Sequence, residues 1–197
     1  MPDRPRTLTC AVMEVALATA LGAALISMLA GDPSLVALLL AGLVVAHLAH
    51  RVWHGERVLW VFDEVFLLTT TGVIGYLTEA WGTTHGHWTY AHLPPGSTVP
   101  VWVPIAWMLA SVLLDRIDDC VGELQLPIAA RVGVAAGAGI VFPWLGESIC
   151  IASGVWQYHW PLQLAGVPVL ALLLISYAHW TFALIRQGTN ALLESQG

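Results

Sequence analysis

The chain has 197 residues, 57% of them hydrophobic and only 10% charged, with a formal net charge of −6 and a mean hydropathy of +0.74. Soluble domains carry about 25% charged residues, so this composition excludes an ordinary soluble globule. Seven arginines and no lysine leave no basic stripe, which argues against nucleic acid as a partner.

The apolar runs are long enough to cross a bilayer at roughly 20 residues per helix. The first, 8–30, follows Arg4 and Arg6 and has the outline of a secretory signal. Glu14 interrupts it and no small-residue cleavage site follows, so it is expected to persist as a first helix. "GDPS" breaks the chain before a second segment at 35–50, and "HRVWHGER" separates that from a third at 58–78. His47, His50 and His54 recur on one helical face here, and imidazole suits iron. The adjacent histidine pairs of membrane di-iron oxygenases are missing, and no metal is expected. Asp63 and Glu64, in "LWVFDEVF", stand near the start of the third helix. Carboxylates inside a membrane segment are functional candidates, and these two either line the interior or reach the interface.

A fourth segment at 100–115 leads into "DRIDDCVGELQLP", which gathers Asp115, Asp118, Asp119 and Glu123. In membrane prenyltransferases such carboxylates bridge Mg²⁺ to a diphosphate. The stretch also approaches the D-x-D-D acid motif of soluble class II terpene cyclases, with Arg116 where the first Asp would stand. No second acidic motif follows, so it is read as a solvated cytoplasmic loop. Segments at 127–146 and 166–186 complete six spans, which must be helices because backbone in hydrocarbon has to satisfy its own hydrogen bonds. Cys10, Cys120 and Cys150 stand too far apart to suggest a disulfide framework or a zinc site.

With six spans, Arg4, Arg6, Arg51, Arg57, Arg116, Arg131 and Arg186 all fall on one side, and the three opposite loops hold none. The positive-inside rule makes that side cytoplasmic, with both termini inside a multi-pass cell-membrane protein.

An internal repeat lies in the second two-thirds. "EAWGTTHGHWTYAHLPPGSTVPV" (79–101) aligns without gaps to "ESICIASGVWQYHWPLQLAGVPV" (147–169), an offset of 68. Glu79 meets Glu147, Gly86 meets Gly154, Trp88 meets Trp156, Tyr90 meets Tyr158, and V-P-V meets V-P-V. Seven identities exceed the roughly one or two expected by chance, so the pattern E-x6-G-x-W-x-Y-x8-V-P-V is read as a repeated unit. The fold class expected is all-α: one polytopic bundle of about six transmembrane helices, divided as 1–57, 58–125 and 126–193. Helices 3–4 and 5–6 form a parallel two-helix repeat, a known membrane architecture. Both patterned loops would lie on the non-cytoplasmic side, with Glu79 and Glu147 ending their helices. Trp and Tyr also anchor proteins at membrane interfaces, but anchoring requires no fixed spacing to a glutamate. The echo at 147 drops His85, His87 and His92, which turns the reading from metal toward acid and aromatic.

Desolvation disfavours a charged carboxyl group, so a carboxylic acid in an apolar pocket can stay protonated and act as a general acid. Aromatic faces stabilise a nearby cation, by roughly 2 kcal/mol or more when desolvated. An acid beside electron-rich rings, open to lipid, suits protonation of an alkene and shelter of the carbocation. The matching substrate is a membrane-soluble polyprenyl chain.

At these residues the chain resembles known families. "EAWGTTHGHWTY…VPVWVPIAW" resembles carotenoid-biosynthesis membrane proteins of the bisanhydrobacterioruberin hydratase type, and "GVWQYHWPLQLAGVPV" is similar to the G-x-W-x-Y segments of membrane lycopene cyclases. The resemblance covers about residues 70–180. It implicates Glu79, Trp88, Tyr90, Glu147, Trp156 and Tyr158, and implies protonation of an isoprenoid double bond without a cofactor, ending in ring closure or water addition. The P-L-E-E motif of lycopene cyclases is replaced here by "VPVW" and "VPVL", which argues against lycopene itself. The short chain implies a smaller substrate, such as a sesquiterpenoid or a prenylated natural product. Small integral-membrane terpene cyclases are the type this favours by mechanism. Glu79 and Glu147 would supply the acid and the terminating base or electrostatic partner, in either order. The competing class is a transporter or lipid-binding protein whose carboxylates carry protons or cations.

Overall fold

A computed structural model describes residues 7–55, 58–124 and 127–194, with side chains described as far as Thr181 except those of Val58 and Ile128. Arg4, Arg6, Arg57 and the side chain of Arg186 lie outside the described residues. Six helices form in chain order. The first, α1 (Leu8–Leu29), starts at Thr7, whose hydroxyl accepts from the Cys10 N–H. The second, α2 (Pro33–Trp53), starts at Asp32, whose carboxylate accepts from Leu35 N–H, with Pro33 in the first turn where its missing N–H is not needed. Then come α3 (Val58–Thr84), α4 (Val103–Glu123), α5 (Ile128–Ala152) and α6 (Val169–Glu194).

Four stretches are long and apolar enough to cross a membrane: α1, α2, Leu59–Thr84 of α3 and Ala129–Ala152 of α5. In α4 the second half carries Asp115, Arg116, Asp118, Asp119 and Glu123. In α6 the apolar part among the described residues is Val169–Thr181. Large apolar side chains point outward, Met28 at 84% exposure and Leu38 at 69%, while Glu64, Glu79 and His179 are buried. That distribution is inverted relative to a soluble protein, and lipid is the solvent that satisfies it.

Successive helices run antiparallel, so the core has two ends. At one end Ile26, Val36, Val103, Cys150 and Val155 pack together; at the other, Val15, Ile117, Val121 and Phe142 do. Glycines set the approach of α4 to α3: a methyl added at Gly75 would lie 2.3 Å from the Trp107 ring, and one at Gly72 2.4 Å from the Met108 Cε. Small residues serve the same purpose wherever membrane helices pack closely.

The helices outrun the apolar segments read from sequence. Glu79 and Glu147 do not end α3 and α5; each sits more than a turn inside its helix. "DRIDDCVGE" is not a loop but the last turns of α4, because its acidic residues can face solvent or interior without breaking the helix.

Gly86 and Gly154, which align between the two similar sequence segments, close α3 and α5 with φ of +70° and +74°. In each case the following N–H reaches back to the first carbonyl of the last turn, His87 to Gly82 at 2.8 Å and Val155 to Cys150 at 2.9 Å. This glycine cap satisfies carbonyls that a helix end leaves open and turns the chain back over the helix. The W-x-Y segments that follow, expected as loops, are short strands, β1 (Trp88–Tyr90) and β2 (Trp156–Tyr158). They pair with each other antiparallel, Trp88 opposite Tyr158 and Tyr90 opposite Trp156. A second small hairpin, β3 (Gln163–Leu164) with β4 (Val167–Pro168), leads into α6.

A Cβ at Gly86 or Gly154 would meet nothing within 4 Å, so only the backbone conformation demands glycine there. Gly154→Ala should therefore lower stability by about 1–2 kcal/mol, and Gly154→Asn by less, since Asn tolerates the left-handed region. Unfolding in detergent micelles, followed by circular dichroism, measures both.

Candidate active site

A strand alternates its side chains, and directly opposed residues share a face. The register of β1 and β2 therefore puts Trp88, Tyr90, Trp156 and Tyr158 on one face of the ribbon, directed into the bundle, and leaves Thr89 and Gln157 exposed. The inward rings touch edge to face, Trp88 with Tyr158 at a centroid distance of 5.4 Å and Tyr90 with Trp156 at 5.7 Å.

Each glutamate is held by the pair of aromatic residues that follows it. Trp88 Nε1 donates to Glu79 Oε2 at 2.7 Å and the Tyr90 hydroxyl donates to the same oxygen at 2.8 Å. Trp156 Nε1 and the Tyr158 hydroxyl both donate to Glu147 Oε2, each at 3.0 Å. The spacing in the sequence thus has a direct cause: the glycine turn brings an indole N–H and a phenol O–H, two residues apart on one strand face, back onto a carboxyl group on the helix. Burial first, and the adjacent carboxyl group next, push both phenols well above the usual tyrosine range, so each remains a proton donor to its glutamate.

The two halves are not identical. Trp107, from α4, donates a third hydrogen bond, to Glu79 Oε1 at 3.4 Å. Both oxygens of Glu79 are therefore engaged, whereas among the described residues no hydrogen bond reaches Oε1 of Glu147. At the same offset of 68 residues from Trp107 stands Ile175, which has no side-chain donor.

Both carboxyl groups open on one cavity of about 450 Å³ to which all six helices contribute. Its size falls in the roughly 300–1,000 Å³ range of small-molecule sites. Tyr90, Trp156 and Tyr158 line it, joined by Trp102 and Trp107; Trp88 stands behind Glu79 as a buried donor. Glu64 lines the far part of the cavity and Asp63 does not. Glu64 is held there by Arg51, through a short ion pair, and by His47 Nε2 at 3.1 Å. Fifteen residues of α3 separate Glu64 from Glu79, about 22 Å at 1.5 Å per residue. The cavity is thus elongated and apolar along its length, with polar groups at both ends.

The histidines do other work. His87 Nδ1 accepts from Trp160 Nε1 at 2.7 Å, and the rings of His50 and His54 meet at a tilt with centroids 4.3 Å apart. Sequence reasoning missed Trp102, Trp107, Arg51 and His47 as members of the cavity or its supports. The aromatic residue following the V-P-V motif hinted at Trp102; the others come together only through packing between helices.

Gly82 makes room for Trp88: an added Cβ would lie 1.9 Å from the indole ring. Gly82→Ala should displace that ring and break its bond to Glu79, lowering stability by about 1–3 kcal/mol. Combined with Trp88→Phe, which removes the same bond, it should add less than the sum of the two effects in a thermal-unfolding double-mutant cycle.

No protein-family model matches this chain, and neither the curated proteins nor the solved structures compared with it include a match.

Proposed function

We propose that this protein is an integral-membrane, cofactor-independent terpene cyclase acting on the isoprenoid chain of a prenyl compound or prenylated natural product. The observation that carries the reading is the convergence of two Trp- and Tyr-bound glutamates and an aromatic wall on one elongated apolar cavity. In the reaction, a glutamic acid O–H transfers its proton to a double-bond carbon, forming a C–H bond and a tertiary carbocation. A second double bond attacks that cation and closes a ring. Loss of a proton from a neighbouring carbon to the second carboxylate gives a product that is an isomer of the substrate, and return of that proton to the donor glutamate restores the protein. The rings of Tyr90, Trp102, Trp107 and Trp156 offer their faces to the cation.

Glu147 is the better proton donor in this scheme. Its Oε1 is left for substrate, while Glu79, engaged at both oxygens, suits the role of fixed counter-charge and final base. Two further readings belong to the proposal. Residues 58–125 and 126–193 are copies of one two-helix unit, supported by their matching glycine caps and Glu–Trp–Tyr contacts. The chain crosses the membrane six times with both termini in the cytoplasm, supported by Arg51, Arg116, Arg131 and Arg186 all lying on helix segments at the end away from the strands. The strand ribbon then faces the opposite side.

Capture of the cation by water instead of a double bond would make the protein a hydratase, in line with its resemblance to carotenoid hydratases. Transport draws on Pro143, which interrupts the hydrogen-bond ladder of α5 at the cavity wall. The helix nevertheless continues through it, and both aromatic-bound acids cluster at one end, so catalysis fits better.

Membranes holding the protein, incubated with farnesylated or geranylgeranylated substrates, should yield a product of equal mass; a gain of water identifies hydration. Glu147→Gln should reduce turnover by roughly 10²–10⁴-fold, the usual contribution of a general acid, with protein still accumulating in the membrane. Undiminished turnover by the Glu79→Gln/Glu147→Gln double variant would overturn the mechanism.

A further inference from the structure

The cavity wall carries a second polar cluster, away from the strands. Asp115 and Asp118 are three residues apart on α4 and so share a face of the helix, while Arg116 and Asp119 are exposed. Facing them from α6 is His179, a buried imidazole at 6% exposure. One ligand atom from each of Asp115, Asp118 and His179 lies within 4.8 Å of the other two. His179 Nε2 and Asp118 Oδ2 are 3.1 Å apart, an ion pair when the imidazole is protonated, but the contact lacks hydrogen-bond geometry and neither atom has a hydrogen-bond partner among the described residues. Buried polar atoms rarely go unmatched, so two that point toward one spot call for an occupant.

We propose that Asp115, Asp118 and His179 bind a divalent metal ion at the cavity wall. The spacing suits one. Two donors about 2.1 Å from an octahedral ion and at right angles to each other are about 3.0 Å apart, and opposite donors about 4.2 Å. The His179–Asp118 separation matches the first value. The 4.8 Å limit on the whole group leaves less than an ångström to close. Two carboxylates and one imidazole favour a first-row ion such as Mn²⁺ or Zn²⁺ over one bound by oxygen alone. Asp115 and His179 both line the cavity, so the remaining coordination positions open toward its interior. Reading the sequence as a solvated acidic loop missed this site, because the helical phase of α4 and the partner from α6 are both tertiary facts. The inference is independent of the catalytic reading and is tested without substrate.

Purified full-length protein, free of a polyhistidine tag and stripped with EDTA, is titrated with Mn²⁺ and followed by electron paramagnetic resonance. The expected result is saturable binding of one equivalent, with a ¹⁴N modulation from a coordinated imidazole in the spin-echo spectrum. His179→Gln should abolish that modulation and weaken binding by tenfold or more, and Asp118→Asn should weaken binding while keeping the modulation. His87→Ala should change neither. If either site variant fails to fold, a rise in the wild-type unfolding temperature with Mn²⁺, reversed by EDTA, together with the ¹⁴N modulation, upholds the proposal. Absence of saturable binding to the wild type, or a ¹⁴N signal unchanged by His179→Gln, overturns it.

Discussion

A carboxyl group inside a helix long and apolar enough to cross a membrane is cut off from water, so the fold must bring it hydrogen-bond donors, and the rest of this structure follows from how that is done. Each glutamate lies more than a turn before the end of its helix, out of reach of the helix's own free N–H groups. Donors have to come from chain that has left the helix and returned. A glycine in the left-handed conformation makes the return tight, and an extended strand then presents Trp and Tyr on one side. Remove any one of these parts and a buried polar atom is stranded, at a penalty of roughly 1–3 kcal/mol or more.

The same requirement joins the two helix pairs. A lone three-residue strand has no partner for its backbone, and β1 and β2 solve this for each other. Their pairing is flanked by Ala91 N–H to Val155 O at 2.9 Å and His159 N–H to His87 O at 2.7 Å. One ribbon therefore fixes four aromatic rings and, through them, both carboxyl groups. It also covers one end of the cavity. Neither pair of helices could build this site alone, because the ring over each glutamate packs against a ring belonging to the other.

Polarity is unevenly spread along the cavity, and that has chemical consequences. The ribbon end offers carboxyl groups bound by neutral donors, amid aromatic faces, and no arginine among the described residues lines it. The far end holds Glu64 with Arg51 and His47, and the Asp115–Asp118–His179 group. Between them the walls are apolar, with Leu67, Leu68 and Leu113 among them. A long apolar molecule with one polar head would meet hydrogen-bonding groups at the head and the two aromatic-bound carboxyl groups about 20 Å away, a length set by the rise of α3.

Much of this was legible in the residues. Hydropathy and length determined that the chain is helical and suited to lipid, since no other composition leaves Met28 and Leu38 facing outward at no penalty. The repeat singled out Glu79, Trp88, Tyr90, Glu147, Trp156 and Tyr158, because a physical need met twice leaves the same spacing twice. Helix ends were misread where polar residues stand inside helices, as in α4, since hydropathy reports the solvent and not the backbone. What only the tertiary structure decided is how the two motifs meet: strand register, the third donor from Trp107, the choice of Glu64 over Asp63, and the approach of His179 to Asp118. Those depend on the rotation and spacing of helices distant in sequence, which local pattern does not encode.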